Sequence, residues 1–170
     1  MKYFITSLIL LSTLFVTAQE EVDISKRTEV KVNGLYLILG GLELDYEYIL
    51  NEESSIGVSV TAFFDDDVEY NWGITPHYRL FFGNQPALGF FVEGHASIFE
   101  YNDYLISFNG SGSTITNDNK IFAGLGLSVG GKFKTKRDVV VEVVAGLGRT
   151  FSDDSLGGYP RFGINIGKRF

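Results

Sequence analysis

From Glu20 onward the chain alternates, with apolar side chains at every second position and no stretch on the 3.6-residue period of a helix. The pattern is clearest in the second half. Ala123, Leu125, Leu127, Val129 and Phe133 fall on one side of a strand, and Gly124, Gly126, Ser128, Gly130 and Lys132 on the other. Val139, Val141, Val143, Ala145 and Leu147 then oppose Val140, Glu142, Val144, Gly146 and Gly148. Upstream, Trp72, Ile74, Tyr78, Leu80 and Phe82 oppose Thr75, His77 and Arg79. Without helices to cover it, each face of such a sheet must meet another sheet, water or lipid.

The spacing predicts eight strands, over Glu29–Leu39, Leu42–Leu50, Ser55–Phe64, Tyr70–Phe82, Leu88–Tyr101, Ile121–Phe133, Val139–Phe151 and Tyr159–Phe170. The first is the least defined, because Leu35 to Leu39 is apolar on both faces. A soluble sandwich would also alternate, with its polar side in water. Here the polar side is crowded with glycine and small residues, while the apolar rows are long, aromatic-ended and almost free of charge. A membrane barrel accounts for both, since its exterior meets lipid and its narrow interior must fit small side chains and a few charges. Lys or Arg on the lipid face near the midplane costs roughly 2–4 kcal/mol, which keeps those rows clean. Every backbone group in lipid must be paired, so the sheet has to close. The expected fold is an all-β, eight-stranded antiparallel transmembrane barrel.

The first nineteen residues, MKYFITSLILLSTLFVTAQ, carry Lys2, an apolar run and the small residues Thr17 and Ala18. They read as a cleaved export signal over residues 1–19, with the barrel over 20–170. The run is short of the roughly 20 residues that a spanning helix needs. The absence of cysteine excludes disulfides and thiol chemistry, and the net charge of −7 argues against nucleic acid. Links after the second, fourth and sixth strands are short (NEES, GNQPA, TKRD). Those after the third, fifth and seventh are longer and acidic: DDDVE, residues 102–119, and SDDSLGG. Such barrels keep short turns periplasmic, which puts both ends of the barrel there and the long loops outside. The first external link, at Gly40–Gly41, reads as tight. Asp65–Asp67 lacks the ligand spacing of a calcium loop and reads as solvated charge.

The inward charges form the main candidate site. Glu47, Arg79, Glu93, Lys132, Glu142 and Arg161, with Lys31 beside them, carry mixed signs in a narrow lumen and should pair into a plug, with Arg79 and Arg161 as hubs. His77 and His95 face inward on neighbouring strands and read as lumen polar groups rather than a metal or acid–base site. An enzyme would need a nucleophile and base near the outer rim, where His95 and Ser97 are the available pair and no third group is evident. The even glycines of GLGLSVGG sit on a strand with no helix after them, so they do not form a phosphate loop. No cofactor or metal is expected.

Taken together, ITPHYRLFFG, GFFVEG, GLSVGGKFKTKR, GLGR and YPRFGINIGKRF resemble a family of small outer-membrane β-barrel proteins from Bacteroidota, a domain of unknown function. The resemblance implies the fold and an outer-membrane location, and brings no catalytic residues. It also implies that the last strand, with Phe162, Ile164, Ile166 and Phe170 on its apolar row, is read by the outer-membrane assembly machinery. The remaining expected partners are outer-membrane lipid and lipopolysaccharide, with the chain monomeric. The expected role is structural or surface-interacting rather than enzymatic; the alternatives are a lipid-modifying enzyme of the outer leaflet and a small-solute pore.

Overall fold

The computed structural model describes residues 26–65, 68–109, 112–151 and 156–170, with side chains outside 103–118. The expected export signal over residues 1–19 lies outside the described residues, as do Asp66 and Asp67 of the first acidic loop. The elements are β1 (Thr28–Asn33), α1 (Gly34–Ile38), β2 (Gly41–Asn51), β3 (Ser54–Phe63), β4 (Tyr70–Phe81), β5 (Gly89–Asn109), β6 (Gly112–Lys134), β7 (Val139–Thr150) and β8 (Gly158–Arg169). Each strand pairs antiparallel with the next. β8 returns to β1, from Glu29 opposite Arg169 to Asn33 opposite Asn165, and closes an eight-stranded barrel.

Burial inverts that of a soluble protein. On β2, Glu43, Asp45 and Glu47 are buried while the alternating Leu44, Tyr46 and Tyr48 are exposed. Across the barrel, Arg79 is 0% exposed and Leu127 and Leu147 are 69% and 73% exposed. The rows Phe162–Ile164–Ile166–Phe170 and Trp72–Ile74–Tyr78–Leu80 also face outward. Phe170 is held in the ladder, accepting from the Thr28 amide at 3.3 Å and donating to the Thr28 carbonyl at 2.7 Å.

Strand bounds depart from the sequence reading by several residues in two regions. The first strand stops at Asn33, and Gly34–Ile38 forms a short helix where a strand to Leu39 was expected. Asn33 Oδ1 accepts from the Leu35 and Tyr36 amides, an N-cap that turns the chain out of the sheet. The tight link expected at Gly40–Gly41 is therefore this helix and its turn, with Gly40 at φ +80°. The loop expected over 102–119 is mostly a ribbon: β5 and β6 stay paired from Tyr101 opposite Lys120 to Asn109 opposite Gly112. The β-forming residues of YLISF and STIT outweigh the Asn, Asp and Gly around them.

Inward glycines make room for rings. A Cβ on Gly57 would lie 2.5 Å from His77 Nε2, one on Gly126 2.3 Å from His95 Nε2, and one on Gly130 2.4 Å from both Phe91 Cζ and the Val143 carbonyl. Each ring occupies the space a Cβ would need on a neighbouring strand, so glycine must be there. Gly130→Val should therefore destabilise the barrel by about 1–3 kcal/mol through overpacking. Gly94, whose Cβ position has no heavy atom within 4 Å, should accept alanine with no measurable change. Urea unfolding in lipid vesicles compares the two.

At the short-turn end, the Asp138 carboxylate receives Lys26 at 2.5 Å and Lys134 at 2.9 Å, and these ammonium groups pull its pKa down to about 2. A lowered folded-state value means that the contact favours folding above the ordinary 3.8 and is lost as pH falls through about 2. Carboxyl NMR should show Asp138 titrating near that lower value.

Candidate functional site

The lumen is built in three levels. At the short-turn end the β4–β5 turn folds inward. Ala87 is fully buried with φ +49° and donates its amide to the Glu52 carbonyl at 2.7 Å. Arg169 donates to the Pro86 and Ala87 carbonyls at 3.1 Å each, and binds Glu29 at 2.6 Å. Ala87 packs with Ile49, Phe81, Phe91 and Val144, which closes that mouth with apolar groups.

Above this lid lies a continuous ionic layer. Arg79 binds Glu93 at 2.8 Å, Glu142 at 2.9 Å, and Glu47. Lys132 binds Glu47 at 2.5 Å and Glu29 at 2.9 Å. Lys31 binds Glu142 at 2.9 Å, Asp45 at 3.0 Å, and Glu47. Hydroxyl and amide groups fill the remaining acceptor positions: Ser55 donates to Glu47 at 2.6 Å, Ser59 to Asp45 at 2.7 Å, and Asn165 to Glu142 at 2.9 Å. Arg79 and Lys132 also lie 4.8 Å from the centres of the Phe91 and Phe81 rings, which joins the ionic layer to the lid. Among the described buried residues, five cationic side chains face six carboxylates.

The third level is a cup of about 410 Å³ at the loop end. Phe63, Tyr70, Phe99 and Tyr159 wall it, and Thr75, Ser97, Glu43 and Arg161 form its floor. Tyr70 stacks on Phe99 at 5.4 Å, and Phe99 meets Tyr159 at 5.1 Å.

A sequence profile described as "Protein of unknown function (DUF3575)" matches residues 4–160 of this chain. The chain belongs to the DUF3575 family. Its fold is similar to the crystal structure of the N-terminal β-barrel domain of Pseudomonas aeruginosa OprF, with a TM-score of 0.50 at 15% identity, covering 85% of this chain and 98% of that one. No curated protein matches.

In this DUF3575 barrel the six charges singled out in the sequence are all buried, but they are not equivalent. Arg79, Glu47, Glu142, Lys132 and Glu93 share the central layer. Arg161 stands at its upper edge, bound to Glu93 at 2.7 Å and Ser59 at 3.1 Å, with Glu43 at 3.9 Å. The hub is therefore Arg79 with the two lysines, and Arg161 is the floor of the cup. Glu29, Glu43, Asp45 and Arg169 also belong to the network. Their signal was strand parity: Glu43 and Asp45 alternate with Glu47 along one face, and Arg169 with Arg161.

His77 and His95 sit directly opposite each other on β4 and β5. His95 Nδ1 lies 3.2 Å from Ser128 Oγ and 3.4 Å from Glu93. Asp45, Glu47 and His77 are close enough to share a metal ion, but the Lys31 ammonium already bridges both carboxylates and supplies the cation there. Ser97 pairs with Thr75 at 3.0 Å, and among the described residues no hydrogen bond joins it to His95.

Proposed function

We propose that the chain is an integral outer-membrane protein of Bacteroidota, exported by its N-terminal signal, with a sealed lumen and a structural or surface-interacting role. The observation that carries this reading is the inversion of burial: an outward band of exposed Leu, Val, Ile and aromatic residues encloses an interior whose middle layer is charged. A closed barrel leaves no unpaired strand edge in lipid over the paired length, and the lid and ionic layer leave little room for water. Outer-membrane lipid and lipopolysaccharide are its surroundings, the outward row of β8 is its contact with the assembly machinery, and it works as a monomer. The Ser97–Thr75 pairing supports a non-enzymatic role over lipid hydrolysis.

Planar-bilayer recordings of the purified protein test the seal. The expected result is no steady conductance. A stable, ion-selective current unchanged by Arg161→Ala would replace this reading with a small-solute pore.

A further inference from the structure

The barrel wall is incomplete on one side. β1 pairs with β2 only as far as Val32 opposite Leu44, and with β8 only as far as Asn33 opposite Asn165. Beyond that, the first half of β8 keeps β7 on one side and has α1, not a strand, on the other. The Asn33 side chain stands in for the missing peptide. Its Oδ1 accepts from the Ile164 amide at 3.4 Å, and its Nδ2 donates to the Phe162 carbonyl at 3.4 Å and to Glu43 at 3.0 Å. Phe170 and Ile164 both direct their amides toward β1, so by the period of two the backbone nitrogen of Pro160 points to the open stretch. Proline has no N–H to leave unpaired there. The wall thus has a seam, closed by a short helix whose Leu37 and Ile38 face the apolar exterior at 53% and 83% exposure.

The seam borders the cup. Tyr36 of α1 and Phe162 of β8 both line it, and their rings meet edge to face at 5.8 Å. The walls are apolar and aromatic, with the hydroxyls of Tyr36, Tyr70 and Tyr159 among them, and the charged groups sit at the base. The charges at that base are already engaged: Arg161 with Glu93, and Glu43 with Asn33 at 3.0 Å and Thr61 at 2.8 Å. An anionic end would face Glu43 and Glu93, and a cationic end would face Arg161. An uncharged hydroxyl or amide meets neither penalty and can bond to Thr75 and Ser97. The volume lies within the roughly 300–1,000 Å³ of small-molecule sites.

We propose that the cup binds a neutral single-chain amphiphile, with its apolar body against the aromatic wall and its uncharged polar end at Thr75 and Ser97, loaded sideways from the lipid through the α1 seam. The proposal rests on the membrane reading above and goes beyond it.

The test is photolabelling with a diazirine-bearing dodecanol added to phosphatidylcholine vesicles that hold the folded protein, with labelled residues mapped by mass spectrometry. Label is expected on Phe99 and Tyr159 as well as on the outward Leu127. Ser97→Phe, which fills the cup, should lower cup labelling at least tenfold and leave Leu127 unchanged. Thr75→Val, which removes only a hydroxyl, should lower it several-fold. The carboxylate analogue of the probe should label the cup at least tenfold less than the alcohol. Stapling a Tyr36→Cys/Phe162→Cys variant with a short thiol-reactive dibromide, which alkylates both thiols with loss of bromide, should slow cup labelling at least tenfold relative to the same variant unstapled. Label confined to outward residues, equal labelling of Ser97→Phe, equal labelling by the carboxylate, or a staple without effect would overturn the proposal. Absence of label from Leu127 too would instead overturn the membrane reading beneath it.

Discussion

Arg79→Ala should lower the stability of the folded barrel by about 3–5 kcal/mol, the usual cost of removing one partner from a buried ionic group. Arg79 is fully buried and touches Glu47, Glu93 and Glu142, so its loss strands three carboxylates around one vacated position. Lys31 and Lys132 remain on Glu47 and Glu142, whereas Glu93 would keep Arg161 at 2.7 Å and His95 at 3.4 Å. The loss measures a broken network and not the worth of the intact one, because a well-packed apolar core can match a buried ion pair. Urea unfolding in lipid vesicles reads the change. A loss below about 1 kcal/mol would mean that water reaches this layer and that the lumen is not sealed there.

Leu127→Arg should cost about 2–4 kcal/mol in the same assay, because it places a cation on the outward row near the middle of β6. Leu127 is 69% exposed, so in a water-soluble protein the same change would be nearly neutral. The two substitutions form an inverted pair: the charge is required inside and excluded outside.

Much of this arrangement was legible as parity. Once Leu125, Leu127 and Val129 are assigned outward, Ser128 and Lys132 must face in, and the same rule carries Arg79, Glu93 and Glu142 into the lumen. Glu43, Asp45 and Arg169 obey it equally, since each lies an even number of residues from Glu47 or Arg161. The helix α1 was not legible. Leu35–Leu39 is too short to show a helical stripe, and what decides its conformation is a side-chain cap from Asn33 and a strand partner that is missing. The β5–β6 ribbon was misread because polar residues dominate its composition, whereas the pairing is set by β-formers placed symmetrically about its tip. The lid was hidden too: GNQPA looks like an ordinary turn, and only the fold shows Ala87 buried under Arg169. The cup draws Phe63, Tyr70, Phe99 and Tyr159 from separate strands, so no single stretch of sequence displays it.

The central claim is that the outward apolar band lies in lipid hydrocarbon. Trp72 is the only tryptophan, stands on the outward face at the loop end, and donates its indole N–H to Glu100 at 2.7 Å, a polar anchor suited to the interface. The direct measurement is fluorescence quenching in vesicles of lipids brominated at known acyl depths. The wild-type protein is compared with a Trp72→Phe, Leu127→Trp variant that carries its tryptophan mid-strand. The account predicts that Trp72 is quenched most by shallow bromines and the tryptophan at position 127 most by deep ones. Equal and weak quenching of both at every depth, with both accessible to aqueous iodide, would contradict it.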